Sequence, residues 1–111
     1  MSDATKRQAK PIETNKSQDV LKSLRTLVPP TVFRFLEERA VSGEKKYGTR
    51  LKTFNGRDSI LDLKQEVADA IMYSRQVDLE GCGDGTARVM VHEFVKLFNG
   101  IEAMYRQRQQ Q

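Results

Sequence analysis

Residues 58–79 repeat acidic and apolar side chains with the period of an α-helix, and this pattern restricts the possible folds most. On one side five apolar positions form a face that we expect to point into the core: Ile60, Leu63, Val67, Ala70 and Ile71. The other side is acidic over about a quarter of the helix circumference. That acidic stripe consists of Asp58, Asp62, Glu66 and Asp69.

The acidic stripe contains no Lys or Arg. Like charges four residues apart destabilise an isolated helix by roughly 0.2–0.5 kcal/mol per pair, so we expect a cation from elsewhere to meet them. Mg²⁺ is well suited, because it prefers carboxylate oxygens. A solvated face is the other interpretation, with Asp58, Ser59 or Asp62 as helix caps and Ser59 and Asp62 imitating a capping box.

The length of 111 residues favours one domain, and a hydrophobic content of 38% gives it a modest core that association with other subunits would help to stabilise. The sequence has neither an apolar run near 18 residues nor a secretory signal, so no membrane association is expected. Cys82 is the single cysteine, which excludes an intramolecular disulfide. A reducing, cytoplasmic location is the simplest expectation.

The net charge of +4 lies mostly at the two ends of the chain, and the body is nearly balanced. This charge distribution disfavours nucleic-acid binding, which requires a basic face on a folded element. The chain is expected to have a disordered basic tail over residues 1–16, an all-α domain over 17–106 and a frayed end over 107–111.

Four helices are predicted from the apolar spacing and from the capping signals. Ser17 caps a short first helix, which ends at Pro29. The second begins at Pro30 or Thr31, reaches about Lys46 and stops at Gly48. After a loop that ends in the Asn55–Gly56 turn, the acidic helix covers 58–79. A glycine-rich break at 81–85 precedes the last helix, which Thr86 caps and which reaches about Arg106.

The apolar arc of the last helix covers about half of its circumference, which is wider than one helix contact needs. Its central residues are Val91, Phe94, Phe98, Ile101 and Tyr105, flanked by Met90, Val95, Leu97 and Met104. This width indicates either a helix that packs both internally and against another subunit, or a deeply buried core helix.

The second helix offers further carboxylates. Glu37 and Glu44 share a face, and Glu38 lies about 100° away from Glu37. If this helix packs antiparallel against the acidic helix, these residues complete a carboxylate cluster. Solvent exposure of all three is the alternative.

The loop between these two helices is basic, and bases beside metal-bound carboxylates are suited to a polyphosphate. Its cationic residues are Lys45, Lys46, Arg50, Lys52 and Arg57. Tyr73 follows Asp69 on the acidic face, where it stacks on a nucleoside or packs in a helix interface. The only histidine, His92, falls on a polar face, so a Ser-His-Asp triad is not expected.

The middle of the chain resembles small MazG-like proteins, which bacteriophages often encode and which belong to the all-α nucleoside triphosphate pyrophosphohydrolases. The resemblance covers about residues 32–79. It rests on EKKYGTRL at 44–51, FNGRD at 54–58, DLKQEVAD at 62–69, Tyr73 and Gln76.

The resemblance implies a four-helix, commonly oligomeric fold that binds Mg²⁺ between two antiparallel helices, with Mn²⁺ also possible. The family motif is Glu-Glu-x-x-Glu on one helix and Glu-x-x-Asp on the next. Glu37 and Glu38 match the start of the first half, and Glu66 and Asp69 match the second half. The third acid of the first half is replaced by Val41, for which Asp62 or Glu44 is a possible substitute.

Three functions follow from these patterns. The first is Mg²⁺-dependent hydrolysis of a (deoxy)nucleoside triphosphate to monophosphate and pyrophosphate by a homo-oligomer. Its metal ligands are Glu37, Glu38, Asp62, Glu66 and Asp69, of which Glu38, Glu66 and Asp69 are catalytic; Lys46, Arg57 and Tyr73 bind the nucleotide. The second is an inactive protein that sequesters a nucleotide. The third is a helical interaction or DNA-binding module.

Overall fold

The computed structural model describes residues 2–110, in which all regular structure is helical. The helices are α1 (Val20–Ser23), α2 (Pro30–Tyr47), α3 (Ser59–Leu79) and α4 (Thr86–Gln109). Within the described residues an isolated bridge between Asp19 and Lys52 is the only β pairing. The prediction of an all-α fold is confirmed. No helix among residues 2–110 is long and apolar enough to cross a bilayer.

The limits of α2 and α3 match the prediction because their end signals are strong. Gly48 ends α2 in the left-handed conformation, with φ of 79°, which glycine adopts without a steric penalty. Asp58 caps α3, and one of its carboxylate oxygens accepts a hydrogen bond from the backbone N–H of Leu61 at 3.1 Å. Ser59 is the first helical residue, so it does not form the capping box that its spacing to Asp62 imitates.

The starts of α1 and α4 differ from the prediction. Ser17 does not cap α1, because its hydroxyl accepts a hydrogen bond from the N–H of Thr14 in an earlier turn; Asp19 caps α1 instead. Thr86 does not cap α4, because its hydroxyl donates to the carboxylate of Asp84 and Gly85 occupies the cap position.

The chain forms two compact units. One consists of the described parts of Met1–Arg7 and Asp58–Gln111, and the other of Gln8–Arg57. The predicted limits of the tails and of the domain over 17–106 stay predictions. Met1 and Gln111, the outermost residues of the two predicted tails, lie outside the described residues.

In the first unit, α3 and α4 form an antiparallel hairpin. Three ion pairs set its register: Asp58 with Arg108, Lys64 with Glu102 at 2.6 Å, and Asp78 with Arg88 at 3.3 Å. From the first pair to the second both helices advance six residues in opposite directions, and from the second to the third both advance fourteen. Arg108 lies beyond the predicted end of α4 at Arg106, so this contact depends on the helix continuing to Gln109.

The inner face of α4 repeats every three and four residues. Its positions are Ala87, Val91, Phe94, Phe98, Ile101, Tyr105 and Arg108, all of them buried or half-buried. A sustained alternation of three and four is the heptad pattern of helices that supercoil with a left-handed twist. The predicted centre of the apolar arc is therefore the internal seam of the hairpin.

The core face of α3 is rotated from the predicted one. Leu61, which lies outside the predicted set, is fully buried at 0% exposure, whereas Leu63 is 46% exposed. Lys64 occupies the seam, with its ammonium group 5.1 Å from the centre of the Tyr105 ring. The prediction was wrong here because an alkyl stem of lysine fills apolar space while its charge pairs with Glu102.

The same end of the hairpin holds the start of the chain. The side-chain amide of Gln65 donates to the backbone carbonyls of Asp3 and Lys6, each at 2.9 Å. Asp3 also accepts a hydrogen bond from the hydroxyl of Tyr105 at 3.5 Å. These contacts fix residues 3–6 on α3 and α4.

In the second unit, residues 12–20 run alongside residues 51–55. Backbone hydrogen bonds join Ile12 N–H to the Asn55 carbonyl at 2.8 Å and Val20 N–H to the Leu51 carbonyl at 3.2 Å. Gly56 has φ of 80°, and a Cβ there would lie 3.1 Å from the side chain of Ile12. The predicted turn at Asn55–Gly56 thus needs glycine both for its backbone angle and for space.

The Asp58–Arg108 pair predicts a pH-dependent stability. The hydrogen bond from Arg108, followed by smaller backbone contributions, holds the pKa of Asp58 below its ordinary value despite partial desolvation. Because the pKa of Asp58 is lower in the folded than in the unfolded state, the ion pair stabilises the protein fully above about pH 4. This contribution to the unfolding free energy is lost as the pH falls through the pKa of the folded state. Asp58→Asn keeps a cap but removes the charge. We expect the difference in unfolding free energy between wild type and this variant to shrink between about pH 5 and pH 3 in urea denaturation; a constant difference would contradict the assignment.

Candidate acidic site on helix α3

The acidic stripe of α3 is not uniformly exposed. Glu66 and Asp69 are exposed, and Asp62 is half-buried. Asp58, at the start of the stripe, already meets a cation, because Arg108 binds the carboxylate oxygen that does not cap the helix. The expectation that a cation from elsewhere meets this stripe is confirmed at its first residue. The pairing of Asp58 with Arg108 was not predicted from the sequence. The signal that could have indicated it is that Arg108 continues the spacing of three and four residues along the inner face of α4.

Most acidic side chains of the protein have a partner. Of fifteen Asp and Glu residues, ten form a hydrogen bond or an ion pair, and Asp62 also has an electrostatic or hydrogen-bonding partner. Within residues 2–110, the remaining four form no hydrogen bond and no ion pair: Glu37, Glu38, Glu66 and Asp69. These four are the acids that match the metal-binding motif in the sequence.

The four acids come from two units. Glu37 and Glu38 are exposed residues of α2, which belongs to Gln8–Arg57, whereas Glu66 and Asp69 belong to the α3–α4 hairpin. Over residues 2–110, no three His, Cys, Asp or Glu side chains form a group that could hold a metal ion by themselves. What the described residues offer is a pair of exposed carboxylates one turn apart on α3.

Glu44, one of the two possible substitutes for the missing acid, already has a partner. Glu44 forms an ion pair with Arg50 at 2.7 Å, and this hydrogen bond raises the pKa of the guanidinium. Val41, where the motif has its third acid, is 43% exposed. A longer polar side chain at position 41 would therefore extend into solvent.

The basic loop is partly used for structure. Lys52 forms an ion pair with Glu13 at 2.7 Å, which raises the pKa of the lysine, and the guanidinium of Arg57 donates to the carbonyl of Ala9 at 2.7 Å. Lys46 is exposed, with its ammonium group 5.2 Å from the centre of the Tyr47 ring. Of the two predicted phosphate ligands, Lys46 is the more accessible.

Tyr73 extends the exposed side of α3. It lies one turn after Asp69 and is 66% exposed. Its ring therefore does not pack in the hairpin, although packing in a helix interface was one of the two roles predicted for it. His92 and Cys82, which were not expected to take part in catalysis, are both exposed.

Comparison with protein-family models, with curated proteins and with solved structures gives no match to this chain.

Proposed function

We propose that this protein is a Mg²⁺-dependent hydrolase that converts a nucleoside or deoxynucleoside triphosphate to the monophosphate and pyrophosphate. The observation that supports the proposal is that the acids without a hydrogen bond or ion pair among residues 2–110 are the four that match the five-position metal-binding motif. Most carboxylates of this protein form ion pairs or hydrogen bonds. Exposed carboxylates that form neither are suitable ligands for a cation, because Mg²⁺ prefers carboxylate oxygens.

The exposed pair on α3 suits Mg²⁺ in number and chemistry. Mg²⁺ usually binds one or two carboxylates and completes its octahedral shell with waters and substrate phosphates, rather than lying in an all-protein cage. Glu66 and Asp69 would provide the two carboxylates. Asp62, one turn before Glu66 on the same helix, would contribute from the outer shell or replace a water. Mn²⁺, which accepts the same oxygen ligands, is expected to substitute.

The reaction requires water to attack the α-phosphorus while the bond from that phosphorus to the α–β bridging oxygen breaks and pyrophosphate leaves. The bound ion would supply charge neutralisation and a water of lowered pKa. Glu66 and Asp69 would orient the substrate phosphates through the ion, and one of the two would accept the proton that the attacking water loses. Lys46 and Arg57 would neutralise phosphate oxygens, and Tyr73 would stack on the nucleoside.

The test is an incubation of the purified protein with each ribo- and deoxynucleoside triphosphate, with Mg²⁺, with Mn²⁺ and with excess chelator. We expect one pyrophosphate per monophosphate, and no turnover with chelator. In ¹⁸O-labelled water the label should appear in the monophosphate, because the attack is at the α-phosphorus. Release of orthophosphate, or label in the pyrophosphate, would exclude the mechanism.

Restoring the third acid of the motif is expected to strengthen the site. Val41→Glu adds a carboxylate at an exposed position of α2, so the fold should tolerate it. Metal-site groups typically change metal affinity or activity by about 10–100-fold, and we expect the Mg²⁺ concentration for half-maximal activity to fall by about tenfold. Val41→Gln, which adds similar bulk without the charge, is the control; an equal effect of both substitutions would exclude a role of the charge.

Nucleotide sequestration is the second candidate, and the absence of an acid at Val41 favours it. A sequestering protein would show one bound nucleotide per chain by calorimetry in the presence of Mg²⁺, with no product after prolonged incubation. In that case Val41→Glu is expected to convert binding into measurable turnover.

A further inference from the structure

A groove lies along one side of α2, within the unit Gln8–Arg57. Its lining residues are Arg25, Pro30, Phe33, Arg34 and Glu37. The last four belong to α2 and are spaced by three, one and three residues, so they share one side of the helix. The groove is open to solvent and has a volume of about 330 Å³, which suits a small ligand. We call it the arginine groove.

The segment between α1 and α2 brings Arg25 to this side of the helix. The backbone N–H of Val28 donates to the carbonyl of Leu24 at 3.3 Å and closes a turn. Pro29 is extended, with φ of −60° and ψ of 151°, directly before α2. The guanidinium carbon of Arg25 lies over the Phe33 ring, 5.3 Å from its centre. This contact limits the motion of the arginine, so less conformational entropy is lost when it binds a ligand.

The N–H donors of the two arginines in the groove are unused. Neither guanidinium forms a hydrogen bond or an ion pair within residues 2–110, and both residues are exposed. Contact with the face of a ring leaves the in-plane donors of Arg25 free. Glu37 lines the same groove and pairs with neither arginine. Two planar cations in one open groove are suited to an oxyanion, because a guanidinium binds phosphate oxygens bidentately.

The charge of the surrounding unit also favours an anion. Residues 8–57 contain eleven Lys and Arg and five Asp and Glu, a net charge of +6, whereas the rest of the chain contains eight basic and ten acidic residues. A positive field around a groove raises the local concentration of anions. Pro30 is the first residue of α2, so the groove includes the end of the helix whose dipole attracts negative charge.

We propose that the arginine groove binds a small phosphate monoester whose other end carries N–H donors, such as a guanine nucleotide with a single phosphate. Arg25 and Arg34 bind the phosphate oxygens, and the carboxylate of Glu37, one turn further along α2, accepts hydrogen bonds from the N–H donors. A phosphate monoester carries nearly two negative charges at neutral pH, which the two guanidiniums match. The groove consists of residues of one unit and needs no metal ion, so this inference does not rest on the proposed hydrolysis.

Calorimetric titration in excess chelator measures this binding without a contribution from Mg²⁺. We expect one site per chain for guanosine monophosphate. Arg25→Gln and Arg34→Gln should each weaken binding by about 10–100-fold, because each removes a charge-assisted hydrogen-bonding group. Arg39→Gln is the matched control: it makes the same change on an exposed residue of α2 about 140° from Arg34 around the helix axis, and it should bind like wild type.

Glu37→Gln tests the other end of the ligand. It removes a charged acceptor, so guanosine monophosphate should bind about tenfold more weakly. Ribose phosphate, which has the same phosphate ester and no N–H donor, should bind no more weakly, because the substitution also removes a negative charge near the phosphate. Equal weakening of both ligands would contradict the role of Glu37.

Three results would overturn the site. They are no binding of guanosine monophosphate at millimolar concentration, equal affinity of wild type and both groove variants, and a loss for Arg39→Gln as large as for Arg34→Gln, which would indicate attraction by net charge alone. Circular dichroism establishes that each variant keeps its helices. The chelator removes the ion on which the proposed hydrolysis depends, so failure of that function and failure of this site are distinguishable.

Discussion

Glu66→Gln is expected to lower the kcat for pyrophosphate release by about 10³-fold while the protein stays folded. The substitution keeps the shape of the side chain but removes its charge, and a ligand that helps to hold a catalytic ion contributes several kcal/mol to the transition state. About 4 kcal/mol corresponds to a factor of roughly 10³. Asp69→Asn should have a similar effect. The double variant should lose little more than either single one, because residues that act as a unit are not additive.

Glu93→Gln is the matched control for this prediction. It makes the same chemical change on an exposed residue of α4, whose ion pair with Lys96 at 3.4 Å lies on the helix surface. It should keep wild-type activity, since exposed pairs contribute about 0–1 kcal/mol to stability. Calorimetric titration with Mg²⁺ and a non-hydrolysable triphosphate provides a second readout. Activity that survives both Glu66→Gln and Asp69→Asn would exclude the site on α3.

Leu61→Ala is expected to destabilise the protein by about 2–5 kcal/mol. Leu61 is the fully buried large side chain of the hairpin, and truncating a buried leucine removes its transfer free energy and leaves a cavity. For a protein of this size that is a large part of the total stability. Urea denaturation at one fixed protein concentration measures the change, because self-association would make the midpoint concentration-dependent.

Leu79→Ala is the control for this second prediction. It makes the same substitution on the same helix at a residue that is 69% exposed, and we expect a change within about 0.5 kcal/mol. Equal losses for the two variants would mean that the seam of the hairpin does not lie at Leu61.

The helices were largely predictable because their ends have strong local signals. Pro30 starts α2 and Gly48 ends it, and Asp58 caps α3. Weaker signals gave wrong starts: Ser17 and Thr86 are both good caps by type, yet each hydroxyl binds a nearby group instead. Side chains of this kind compete for several local partners, and the sequence does not rank them.

The shared helix face of Glu66 and Asp69 was predictable, but their exposure without ion pairs was not. The spacing of Glu66 and Asp69 placed both on one face of a helix. Which acids stay without ion pairs depends on bases far away in the chain, as Arg108 at Asp58 and Lys52 at Glu13 illustrate. The tertiary structure was therefore needed to identify Glu37, Glu38, Glu66 and Asp69 as the acids without such pairs among residues 2–110.

The sequence by itself determined the helical class, the limits of α2 and α3, and the acidic face, because these depend on residues within a turn or two of one another. The tertiary structure decided the rotation of α3 about its axis and the exposure of Leu63. Both depend on which side of one helix another helix covers. Apolar residues on two adjoining sides of α3 satisfied the same helical period equally well, and only packing against α4 buried Leu61 and left Leu63 at the surface.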